Sequence, residues 1–148
     1  MNKSLIINKN IINFANNVST DQLSKLYIIN HTNDDFVYKF LVKDNKLCHI
    51  LPPNGIIEKN NSKEIKINIT PDAINNINKI IIYSLNTKYI NIKDTKDIWT
   101  IYKHLIEKYT IEVKYENQNN NYYKFCIYLY IIVFIILVMF LIGVYYLF

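Results

Sequence analysis

After Lys124 the chain carries no charged residue up to Phe148, and Ile, Leu, Val, Phe and Tyr fill nearly every position. At a rise of about 1.5 Å per residue, a helix over Cys126 to Phe148 spans the ~30 Å hydrocarbon core of a bilayer. A buried core helix of the same length needs a polar stripe, and the run Ile131 to Val138 has none. Tyr122, Tyr123, Tyr128 and Tyr130 near its start, and Tyr145 and Tyr146 near its end, suit the two interfacial belts. The expectation is therefore a transmembrane helix. Near the N-terminus the apolar residues Leu5, Ile6 and Ile7 are interrupted by Asn8 and Lys9 before they reach the length of a secretory signal. The two features together imply tail-anchored topology: a cytosolic domain at 1–115, a short polar linker at 116–124 and an anchor at 125–148.

The 17 Lys+Arg and 12 Asp+Glu all precede the anchor, so the formal charge of +5 belongs to the domain. A modest basic excess favours an acidic peptide, an anionic lipid surface or nucleic acid. No clustered Lys/Arg motif supports nucleic acid. Two cysteines, Cys48 and Cys126, are too few for a disulfide framework and point to a reducing compartment. Asn-x-Ser/Thr triplets such as Asn68-Ile69-Thr70 arise by chance in so Asn-rich a chain.

Between Leu5 and Leu85 the apolar pattern is short and often interrupted, as expected of strands. Ile65, Ile67 and Ile69 alternate with Lys66 and Asn68; Phe36, Tyr38 and Phe40 alternate with Val37 and Lys39; Ile111 and Val113 alternate with Glu112 and Lys114. Each is the period-two signature of a half-buried strand. Leu26–Ile29, Leu47–Leu51 and Ile80–Leu85 are continuous apolar runs, which predicts strands covered on both sides. Pro52-Pro53-Asn54-Gly55 predicts a turn, with Gly55 free to take positive φ. Asp94 to Lys108 places Ile98, Ile101, Tyr102 and Leu105 at helical spacing, with Asp94 and Thr95 as caps. The expected fold class is an all-β, immunoglobulin-like sandwich plus one transmembrane helix, with a compact barrel as the alternative for the strands.

Catalytic and metal chemistry finds no support. His31, His49 and His104 have no partner at ligand spacing, and Cys48 and His49, adjacent in a strand, point to opposite faces. With only two glycines, Gly55 and Gly143, a phosphate-cradling loop is excluded, and no nucleophile motif occurs. No enzyme, no cofactor and no metal is expected.

The stretch from Leu26 to Phe40, with Asn30, Thr32 and the aromatic-lysine pair Tyr38-Lys39, resembles the signature strand pair of major sperm protein (MSP) domains as found in the VAMP-associated protein (VAP) family. His31 stands where that family has proline. Ile50 to Glu58 resembles the family's proline-rich turn and glycine-isoleucine-isoleucine-acid run, and Pro71 falls on its following proline. Asn78 to Ile82 resembles its ligand-binding strand, and Ile98-Trp99 its short helix. The resemblance implies a seven-stranded sandwich. It also implies an anchor in the endoplasmic reticulum membrane and capture of cytosolic partners through FFAT-like motifs, two phenylalanines in an acidic tract. Lys39 then matches the basic residue of the central strand, and Lys79 with Ile81 the pocket lysine and methionine. Leu41 replaces a second lysine, while Val42 and Lys43 replace two threonines. The implied peptide-binding set is Lys39, Leu41, Lys43, Lys79 and Ile81. The family's coiled coil is missing. A second expectation is a structural domain that self-associates into homo-oligomers on a membrane surface.

Overall fold

The computed structural model describes residues 3–16, 18–74, 76–90, 97–116 and 119–145, with side chains of the last segment described at 124–136, 138 and 139. It forms two units, Met1–Glu116 and Asn117–Phe148. In chain order the strands of the first unit are β1 (Leu5–Ile7), β2 (Ile11–Ala15), β3 (Gln22–Asn30), β4 (Phe36–Leu41), β5 (Cys48–Leu51), β6 (Asn54–Ile57), β7 (Ser62–Ile69), β8 (Lys79–Asn86) and β9 (Glu107–Glu116). Helix α1 (Ile98–Ile101) precedes β9.

The strands make a four-stranded sheet in the order β1-β3-β7-β5 and a five-stranded sheet in the order β2-β9-β8-β4-β6. All pairings are antiparallel except β2 with β9, which is parallel. Alternation explains why the sheets stack. Leu26, Ile28, Ile65 and Ile67 from one sheet, and Phe36, Tyr38, Ile80, Ile82 and Ile111 from the other, turn inward into one core. At ~25 cal/mol per Å² of apolar surface, burying each such side chain contributes about 1.5–3 kcal/mol, and this burial is what selects the register.

The resemblance implied seven strands; the described residues form nine. Two stretches are each divided between the sheets: β5 and β6 part across Pro52-Pro53, and the N-terminal stretch changes sheet across Asn8 to Asn10. Leu5–Ile7 pairs with β3, whereas Ile11–Ala15 pairs with β9. Asn8 Oδ1 accepts the Tyr27 amide at 2.7 Å, and the Asn10 carbonyl accepts from Glu112 N at 2.9 Å, so both sides of the crossing are tied down.

Three further expectations are corrected. The continuous apolar runs are covered on one side only: Leu26 and Ile28 are buried while Tyr27 is exposed, and Cys48 and Ile50 are buried while Leu51 is 61% exposed. An antiparallel sandwich packs just one face of each sheet, so apolar residues at the alternate positions face outward. Gly55 does not take positive φ. It lies within β6 opposite Tyr38, where an added Cβ comes within 3.1 Å of the Tyr38 hydroxyl, so close approach is what its missing side chain permits. The helix expected over Asp94 to Lys108 shrinks to α1 and a 3₁₀ turn at Lys103–Leu105. Ile101 and Leu105 are exposed rather than packed on the core; the proposed caps Asp94 and Thr95 lie outside the described residues.

Asn30 accounts for the signature at the end of β3. Fully buried, it donates through Nδ2 to the carbonyls of Asp34 at 2.8 Å, Glu58 at 3.0 Å and Ile57 at 3.3 Å. Its Oδ1 accepts the amide and hydroxyl of Thr32 at 3.0 and 2.8 Å. One amide thus satisfies loop groups that folding removes from water. His31, at the position of the family's proline, is exposed and takes no part.

In the second unit α2 (Asn119–Tyr145) is a continuous helix of 27 residues. It begins inside the stretch expected as linker, so helix replaces irregular chain from Asn119 onward. Among the described residues no helix is long and apolar enough to cross a membrane. The transmembrane helix expected at 125–148 is therefore not shown among them.

Candidate functional site

The outer face of the five-stranded sheet is set by register. Lys39 of β4 stands opposite Tyr83 of β8, which stands opposite Lys108 of β9. The next outward row is Leu41, Ile81 and Thr110, and beyond it Lys79 faces Glu112. Directly opposed residues share a face with Cβ atoms about 4.5–5.5 Å apart. Four of the five residues implied by the resemblance, Lys39, Leu41, Lys79 and Ile81, therefore lie on one surface. Lys43 lies past the end of β4 on an exposed bend, outside the ladder.

Leu41 and Ile81 form a small apolar patch where the resemblance implied a lysine and a methionine. Leu41 is 37% exposed and Ile81 half-buried. Next to it a cleft of about 470 Å³ opens between the sheet and the α1 segment. Lys39, Lys103 and Lys108 bring positive charge to it, Tyr83, Trp99 and Ile106 form its apolar wall, and Asp97 and Thr100 complete the lining. The ammonium of Lys39 sits 4.6 Å from the centre of the Trp99 ring and 5.8 Å from that of Tyr83. Cation–π attraction of this kind fixes a lysine that otherwise sweeps freely through solvent.

Tyr83, Trp99, Lys103 and Lys108 were not in the set read from sequence. Period two points outward from Ile81 to Tyr83 and from Thr110 to Lys108, so those two carried a local signal. Trp99 and Lys103 carried none, because their approach to Lys39 depends on how the segment before β9 folds back over the sheet.

Burial pushes the Cys48 thiol up to about 11 and the Tyr115 phenol up to about 12, keeping both protonated. The Tyr115 hydroxyl donates to the carbonyls of Ile77 at 2.8 Å and Ala73 at 3.0 Å. Tyr109 is also raised, by burial first and by its hydrogen bond to Glu107 second. Glu107 accepts in addition the Ser4 amide at 2.9 Å, and the Tyr109 hydroxyl accepts the Leu5 amide at 2.9 Å, a clasp between β1 and β9. Among the described residues no group of three or more His, Cys, Asp or Glu could hold a metal ion.

No curated protein sequence matches the chain. Solved structures do match in fold. WR4, a C. elegans MSP family member, superposes with a TM-score of 0.59 at 13% identity, over 78% of this chain and all (100%) of that one. SSP-19, an MSP-domain protein like family member in Caenorhabditis elegans, gives 0.51 at 14% identity, over 73% of this chain and 97% of that one. The PapD-like domain 7 of human CEP192 gives 0.52 at 12% identity, over 79% of this chain and 91% of that one. At such identities the likeness speaks for the fold alone. The sequence profile of the MSP (Major sperm protein) domain matches residues 5–104, more than half of the chain, which therefore belongs to the MSP domain family.

Proposed function

We propose that the chain is a membrane-held adaptor of the VAP kind, whose sandwich binds short peptides that pair an acidic tract with aromatic anchors. The observation that carries this reading is the convergence of Lys39, Lys103 and Lys108 on a cleft walled by Tyr83 and Trp99, beside the Leu41–Ile81 patch. Lysines held among aromatic rings suit a ligand that offers carboxylates and an apolar ring together. An acidic flank is drawn in over a Debye length of ~8–10 Å, and an aromatic side chain then gains by leaving water. Lys79 extends the basic track along the face.

The membrane part of the proposal rests on the uncharged sequence after Lys124 and on α2. Phe125, Ile132, Phe134 and Ile136 are each more than half exposed, an arrangement lipid satisfies and water does not. We place the sandwich on the cytosolic side of the endoplasmic reticulum membrane and assign it no catalytic activity.

The test is titration of the full chain in detergent micelles with an FFAT-like peptide, followed by the fluorescence of Trp99, the chain's one tryptophan. Binding should weaken with salt, and Lys39→Asp and Lys79→Asp should each lower affinity by about tenfold or more. Unchanged affinity in both variants overturns the site. A second reading, self-association on the membrane, draws on the exposed Leu23 and Leu51 of the other sheet, at 60% and 61%. Sedimentation separates the two, since a chain that binds peptide as a strict monomer is an adaptor.

A further inference from the structure

The cleft contains one acid among its lysines, and local structure does not require it. Asp97 caps α1 with its backbone: its carbonyl accepts the amides of Thr100 at 3.0 Å and Ile101 at 3.3 Å. Its side chain makes no capping bond to the helix. A usual N-cap residue has extended backbone and its carboxylate on a helix amide. Asp97 is left-handed instead, at φ 51° and ψ 63°, and the Thr100 hydroxyl donates to its carboxylate. That conformation tolerates Asn at least as well as Asp, so the backbone calls for a short polar residue and not for a charge. The charge is nonetheless set in the lining that Lys39, Lys103 and Lys108 share.

Resting on the adaptor reading above, we infer that Asp97 is a specificity-determining residue of the cleft. It repels carboxylates from the Trp99 end, so that the aromatic anchor enters there and the acidic tract lies along the sheet toward Lys79. Without it the lining keeps its lysines and its apolar wall but has no repulsive group. A carboxylate that opposes the wrong arrangement selects by repulsion, at some cost in affinity for the right one.

The experiment compares two synthetic peptides on the full chain in detergent micelles. One has a run of glutamates before a Phe-Phe pair and the other has the same run after it, and Trp99 fluorescence reads both. The wild type should prefer one order by about tenfold, and Asp97→Asn should tighten the disfavoured peptide by about fivefold while moving the favoured one less than twofold. Asp72→Asn removes the same charge from the 3₁₀ turn between β7 and β8 and should change neither. The inference is overturned if Asp97→Asn tightens both peptides equally, if Asp72→Asn does the same, or if the preference survives unchanged in Asp97→Asn. Failure of the wild type to bind either peptide brings down the adaptor reading itself, and the inference with it. Binding without a preference between orders leaves that reading standing and removes Asp97 alone.

Discussion

The two sheets have inner faces built by the same alternation and outer faces built on opposite terms. On the four-stranded sheet the charges are answered locally: Lys25 lies 3.1 Å from Glu64, Tyr27 donates to Glu64 at 2.8 Å, and Asn68 donates to Asp21 at 3.0 Å. On the five-stranded sheet Lys39 rests on aromatic rings, Lys108 stands opposite Tyr83, and the nearest acid in the ladder, Glu112, is 3.8 Å from Lys114. Charges that already have partners gain little from a ligand, whereas Lys39, Lys103 and Lys108 share a cleft whose lining carries a single acid, Asp97. The contrast supports the proposed site on the five-stranded sheet.

The largest effect that can break this contrast is charge reversal on one face at a time. Lys108→Asp, on the five-stranded sheet, should lower affinity for the acidic-aromatic peptide by more than about tenfold. Lys66→Asp, on the four-stranded sheet, should change it by less than about twofold. Equal losses in the two variants, measured by Trp99 fluorescence at matched ionic strength, would make binding a matter of net charge and dissolve the contrast.

The next test sets one buried polar group of each sheet against the other. Asn30 of β3 has its bonds filled, and Asn30→Ala leaves several loop carbonyls and the Thr32 groups without it, costing about 2–4 kcal/mol in urea unfolding. Tyr38 of β4 buries a hydroxyl with no hydrogen-bond partner among the described residues. Tyr38→Phe should therefore be neutral or stabilising by about 1 kcal/mol. Opposite signs sharpen the picture of a tightly bonded sheet beside a less satisfied one; destabilisation by Tyr38→Phe defeats it.

The smallest effects are those of pH. Cys48 of β5 and Tyr115 of β9 have raised values in the fold, so their contribution is full below the unfolded values of about 8.5 and 10 and is lost as pH rises toward about 11 and 12. On the acid side, hydrogen bonds from Tyr27 and Lys25 hold Glu64 low, and those from Asn86 and Lys88 hold Asp34 low. Their contribution is full above about pH 4 and disappears as pH falls through the lowered values. The urea midpoint should thus be flat near neutrality and decline at both extremes, with alkylation of Cys48 rising only as the sandwich opens. A midpoint that climbs above pH 9 contradicts this.

By itself the sequence determined which strand residues turn inward. The alternations at Ile65–Ile69, Phe36–Phe40 and Ile111–Val113 are local, and a side chain's face follows from its place in the strand. It also marked the uncharged run after Lys124, since charge needs no fold to be read. The Asn30 signature was visible, although its meaning, an amide bonded to five groups around it, was not. The tertiary structure alone decided which residues meet. Lys39, Tyr83, Trp99 and Lys108 come from β4, β8, α1 and β9, and only long-range pairing in one register sets them around a common cleft. The same register made Gly55 necessary for the bulk of Tyr38 rather than for its backbone angle. Strand period is a property of a few neighbouring residues, but register is chosen by burial across the whole core, so the faces were legible beforehand and the site was not.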